Sequence, residues 1–150
     1  MNIFPKNSQA LAVALSQIYV AEVPGAQSNP QILKYAIDYG ITWYTHDEIG
    51  WCSLFLNWVA KQIGSTGTGS LLARSWLNFG DKVITEPSVG DIAVFWRDSP
   101  DGTQGHVGLY LNEVNRDGKI YLRVIGGNQS DQVKISEFPK WKLLDFRRWV

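Results

Sequence analysis

Apolar side chains recur at helical spacing through the first half of the chain and alternate with polar ones through the second half. The run NSQALAVALSQIYV predicts a helix over residues 7–20, capped by Asn7 or Ser8, with Leu11, Leu15 and Ile18 on one face. Residues 22–30 are turn chemistry, and Asn29-Pro30 opens a second short helix through Ile37, with proline at its first position and Gly40 ending it. A loop holding Trp43, Tyr44, His46, Asp47 and Glu48 leads through Gly50 to Trp51-Cys52. There a strong helical pattern begins: Phe55, Trp58, Val59 and Ile63 share a face, and Gly64 supplies the stop. Residues 64–70 read as a flexible surface connection, and residues 71–79 as a further short helix ending at Gly80.

Beyond Gly80 the period becomes that of strands. Short β-branched and aromatic runs at residues 89–97, 106–114, 119–125 and 132–136 predict strands, with a last one over 142–149. Asp98-Ser-Pro-Asp-Gly, Asn115-Arg-Asp-Gly and Gly126-Gly-Asn separate them as hairpin connectors. Helices first and an antiparallel meander afterwards predict an α+β fold, with N-terminal helices packed on one face of a C-terminal antiparallel β-sheet. No repeat, heptad or low-complexity tract interrupts the chain, so residues 1–150 read as one domain.

Composition narrows the function classes. The 150 residues carry 14 basic and 14 acidic side chains, and this balance lacks the positive field of a nucleic-acid binder or a polybasic membrane-surface protein. One cysteine cannot form an intramolecular disulfide, and with two histidines it does not make a structural zinc site; neither metal nor cofactor is expected. The longest apolar run, residues 10–15, is too short to span a bilayer and makes a poor signal peptide. Action outside the cytoplasm then calls for specialised secretion, for lysis, or for a longer precursor.

Cys52 falls in the first turn of a predicted helix, where free backbone N–H groups and the positive end of the dipole favour a thiolate. A thiolate nucleophile needs a base that exchanges a proton near neutrality, which is histidine chemistry. His106 opens a strand within Gly105-His106-Val107-Gly108, where small neighbours admit a close approach, and is preferred as the base over His46 in its loop. Asn128, Gln129 and Asp131, after the next strand, are alternative partners to orient the imidazole. Residues 98–105 lack the ligand spacing of a calcium loop, and no glycine-rich phosphate loop exists. Of the nineteen aromatics, Trp43, Tyr44, Trp51 and Trp96 fall close to this site in sequence order and could line a groove for sugar or peptide.

Further landmarks appear in a fixed order. They are Glu22-Val-Pro-Gly25 with Asn29-Pro30, Asp47-Glu48 followed by Trp51-Cys52, Ala73-Arg74-Ser75-Trp76, Gly90-Asp91-Ile92, Gly105-His106-Val107-Gly108 and Gly126-Gly127-Asn128-Gln129. With them the chain resembles the CHAP and NlpC-like superfamily of papain-like cysteine peptidases and amidases, in a subgroup of bacterial and phage origin. The resemblance implies a papain-like fold and a single catalytic domain over residues 1–150. It implies a peptidoglycan hydrolase that cuts amide bonds of cell-wall stem peptides, as an endopeptidase or an N-acetylmuramoyl-L-alanine amidase. Cys52 would be the nucleophile, His106 the base and Asn128 its orienting partner, with Gln129, Asp47 and Trp51 as further candidates for the third-residue or oxyanion roles. Many members place an acid in the third position; an amide adds no negative charge to the histidine and leaves a thiolate–imidazolium pair to the helix dipole and the Cys–His contact. A secreted antibacterial effector, matched by an immunity protein that plugs the groove, and a phage lysis enzyme both fit. A non-catalytic wall-binding module of the same fold and a thiol-dependent acyl or peptidyl transferase are the alternatives, and retention of both Cys52 and His106 counts against the first.

Overall fold

The computed structural model of the chain describes residues 4–24, 28–44 and 50–150. Among them, helices α1 (Lys6–Leu15), α2 (Pro30–Tyr39) and α3 (Cys52–Gln62) precede a 3-10 turn at Ala73–Asn78. The strands are β1 (Asp81–Lys82), β2 (Ile92–Trp96), β3 (Gly105–Arg116), β4 (Lys119–Gln129), β5 (Gln132–Pro139) and β6 (Leu143–Arg148). They form one six-stranded sheet in the order β1-β6-β2-β3-β4-β5, antiparallel at every pairing. This is the α+β arrangement the sequence predicts. None of the described helices is long and apolar enough to cross a membrane.

The punctuation residues act where their chemistry requires. Asn29 caps α2 by accepting from the Gln31 N–H at 2.8 Å, Pro30 occupies the first position, and Gly40 ends the helix in the left-handed region at φ 97°. Helix α1 departs from expectation. It stops at Leu15, and its buried face carries Ala10 and Ala14 while Leu15 is 45% exposed. Small alanines let the helix approach the core closely, and the residues after it leave to pair with β5: Tyr19 N–H donates to the Val133 carbonyl at 2.7 Å and Val133 N–H to that of Val20 at 2.8 Å.

Two apolar layers sandwich the sheet. The main core joins the helices to one face through Ile92, Val94, Val107, Leu109 and Ile125. It also absorbs many of the aromatics: Tyr35, Trp51, Phe55 and Trp58 pack together, as do Trp76, Phe79 and Trp149. A smaller layer on the other face contains Phe95, Tyr110, Leu122 and Val124, against which Phe138 and Phe146 pack.

The β3–β4 hairpin turns through Asp117 and Gly118, and the β4–β5 hairpin through Ser130 and Asp131, each pair at positive φ as tight two-residue turns demand. The predicted connector Gly126-Gly-Asn is therefore no turn. It lies inside β4, at a register shift between Gly126 and Gln129.

Candidate active site

Helix α3 is buried continuously from Ser53 to Ala60, and its first residue is the chain's only cysteine. Trp51 anchors this end: the indole is fully buried, and its N–H donates to Glu22 Oε1 at 2.7 Å. That bond uses the only donor of the side chain, so the indole of Trp51 has none to offer an oxyanion. Gly127 lets the helix end sit against β4, since a Cβ there would lie 2.7 Å from Phe55 Cβ and 2.8 Å from the Trp51 ring. Cys52 is half-buried. Burial pushes its thiol up from the ordinary value, against backbone hydrogen bonds from Val107 and Ser53 and the charge of Arg97, which pull it down. The Val107 backbone that acts on the thiol belongs to the residue that follows His106.

His106 is 4% exposed, with its ring stacked on Phe138 at a centroid distance of 4.7 Å. Its Nε2 lies 2.9 Å from Gln129 Oε1. The Gln129 amide nitrogen donates to the carbonyls of Val124 at 3.0 Å and Lys134 at 2.7 Å. Both partners are acceptors, so the amide cannot be reversed, its oxygen must face the imidazole, and Nε2 must carry the hydrogen. The neutral ring then keeps Nδ1 as its free basic nitrogen. Burial, aided by the Arg97 charge and opposed by the Gln129 bond, brings the His106 pKa down to about 4.

The imidazole is therefore held by Gln129, one residue beyond the Asn128 implied by the family resemblance. The cause is the bulge in β4. Val124 belongs to the outer layer and Ile125 to the main core, so simple alternation assigns Gly126 and Asn128 to the face of His106. Asn128, at φ 56°, breaks that alternation and returns Gln129 to the His106 side. Gly126 leaves the necessary room, since a Cβ there would meet Gln129 Oε1 at 2.7 Å. Asp131, the third alternative, sits in the following turn.

Asn128 takes a different position. It lines two adjoining hollows, one of about 90 Å³ beside Cys52, Leu72 and Gly105, the other of about 290 Å³ beside His106, Gln129 and Phe138. Its amide nitrogen lies 3.8 Å from where a Cβ on Gly50 would sit, and the amide has no hydrogen-bond partner among the described residues. Arg97 is the other residue common to both hollows. Larger hollows of about 410 and 460 Å³ flank α1 but contain neither cysteine nor histidine, and chemistry rather than size identifies the site. His46, Asp47 and Glu48 lie outside the described residues.

A polar network under α3 has no obvious sequence signal. Ser53 Oγ donates to the Ser70 carbonyl at 2.6 Å and accepts from Trp76 Nε1 at 2.9 Å. Asn57, fully buried, donates to that carbonyl at 3.0 Å and accepts from the backbone N–H of Thr68 at 2.7 Å and Gly69 at 3.2 Å. Residues 64–70, expected to be flexible, are thus tied to the helix, which steadies the adjoining Leu71, Leu72 and Ala73 that wall the Cys52 hollow. Asparagine at helical spacing within an otherwise apolar stretch is the one clue the sequence offers.

A family model for the CHAP domain matches residues 43–128, which include Cys52 and His106. Comparison with curated proteins finds no match.

Proposed function

The chain belongs to the CHAP domain family, papain-like cysteine peptidases and amidases of bacterial and phage peptidoglycan hydrolases, and we propose that it cleaves amide bonds of wall stem peptides with Cys52 as nucleophile and His106 as base. The observation that supports this reading is a thiol at the start of α3 and an imidazole whose tautomer Gln129 fixes, lining two hollows that share Arg97 and Asn128. At rest the pair is a neutral thiol and a neutral imidazole, because burial disfavours both charges. This replaces the thiolate–imidazolium pair expected from sequence.

As sulfur attacks the amide carbonyl, its proton moves to Nδ1 of His106, while the hydrogen on Nε2 stays hydrogen-bonded to Gln129 Oε1 and that acceptor oxygen steadies the imidazolium. The Cys52 backbone N–H and the Asn128 amide, which has no partner among the described residues, supply the two donors for the oxyanion. Nδ1 then protonates the leaving amine, and water, giving its proton to the same nitrogen, hydrolyses the thioester and frees the thiol. The wall is reached by specialised secretion of an antibacterial effector or at phage lysis; an effector would be matched by an immunity protein over the groove.

Purified peptidoglycan incubated with the wild type and with Cys52→Ala, followed by mass spectrometry of the soluble products, tests the reading. The wild type should release peptides and Cys52→Ala about 10⁴-fold less or none. Whole stem peptides with a free amino terminus indicate an amidase, and shorter fragments an endopeptidase. No products from the wild type overturns the proposal. His106→Ala should abolish activity and His46→Ala should leave it intact.

A further inference from the structure

Five of the six arginines have occupied guanidinium groups. Arg74 donates to the carbonyls of Ser99, Pro100 and Gln104; Arg116 and Arg123 pair with Glu137; Arg147 binds the carbonyls of Phe79 and Gly80; Arg148 binds Asp91. Arg97 differs. It is exposed, it follows the last residue of β2, and its guanidinium has no hydrogen bond or ion pair among the described residues. It also lines both the hollow beside Cys52 and the one beside His106.

A free guanidinium presents a planar fork of donors whose best complement is a carboxylate bound through both oxygens. Among the described residues none is bound to it. Glu137 borders the His106 hollow, but Arg116 engages both its oxygens at 2.6 and 2.7 Å, with Arg123 at 3.5 Å. We propose that Arg97 is a specificity residue that binds a free carboxylate of the peptide substrate beside the scissile amide, so that acidic stem peptides are selected over their amidated forms. This rests on Cys52 and His106 being the reacting pair. Its charge is consistent with the assignment: burial chiefly, and the Arg97 charge in addition, keep the His106 imidazole neutral, and a bound carboxylate offsets that added charge when the base must accept a proton.

The test uses the inactive Cys52→Ala protein and two synthetic stem peptides, one with its carboxylates free and one with them converted to carboxamides. By calorimetry the acid form should bind about tenfold or more tightly, the scale of one charge-assisted pair. Adding Arg97→Gln should bring the two affinities together, while Arg97→Lys retains a reduced preference. Equal affinities without the Arg97 change, no binding of either peptide, or a preference that survives Arg97→Gln each overturns the carboxylate site. Failure of the hydrolase reading shows separately, as absence of products from whole peptidoglycan with the wild type.

Discussion

The His106 ring is neutral in the folded protein down to a pKa of about 4, whereas an unfolded histidine titrates near 6.5. The base is competent only when unprotonated, so kcat/KM should rise with pH through about 4 and be flat by neutrality, which a pH–rate profile on soluble wall fragments will show. Stability has the same sign. Between about 6.5 and 4 the unfolded chain binds the proton that the native ring refuses, so the fold loses stability as pH falls, by about 3 kcal/mol in all, and this term is constant below that window. Urea titrations at pH 7 and 4.5 should show a larger loss for the wild type than for His106→Gln. The placement of Cys52 at a helix start and of His106 on a glycine-flanked strand was legible in the sequence because both are local features. The partner of the ring was not, because Asn128 and Gln129 exchange faces through one positive φ, which a two-residue alternation cannot foresee.

At the scale of elements, β4 carries two adjacent glycines with different obstacles, Gly127 against the start of α3 and Gly126 against Gln129 and the Val107 carbonyl of β3. In Gly126→Ala the new Cβ meets the end of the Gln129 side chain, which can swing away; in Gly127→Ala it meets Phe55 Cβ and the Trp51 ring, which cannot. Gly126→Ala should therefore stay folded while kcat drops by about tenfold to a hundredfold through loss of the fixed tautomer. Gly127→Ala should instead lower stability by about 1–3 kcal/mol, as overpacking does. Thermal melts and initial rates on the same two proteins separate these effects. Helix α2 was legible from proline, asparagine and glycine alone, and the start of α3 from the apolar positions that recur at helical spacing after Trp51. The real face of α1 was not, since close packing selected Ala10 and Ala14 over the more hydrophobic Leu15, and pairing with β5 drew residues 19–20 out of the predicted helix.

Across the whole molecule, the placement of β6 between β1 and β2 depends on pairing distant in sequence, which local periodicity does not encode. A buried carboxylate fastens that closure. Asp91 is fully buried before β2; Arg148 from the end of β6 grips both its oxygens at 2.8 Å, Asn7 of α1 donates at 2.7 Å and the Ser88 N–H at 2.7 Å. Burial alone would raise the carboxyl, but these donors together hold it below the ordinary carboxylate range. Its contribution is thus present at neutral pH and lost as pH falls through that range. Arg148→Ala leaves the carboxylate buried with two neutral donors and should cost about 2–4 kcal/mol, less than for a wholly buried pair because the arginine side chain is 37% exposed. Asp91→Leu combined with Arg148→Leu removes both charges and should be more stable than Arg148→Ala in denaturant titration. Asp91 and Arg97 are separated by the length of β2, about 20 Å at the rise of a strand. Both variants should therefore keep wild-type kcat wherever they are folded, and a parallel loss of kcat would show that the sheet closure and the catalytic groove are coupled.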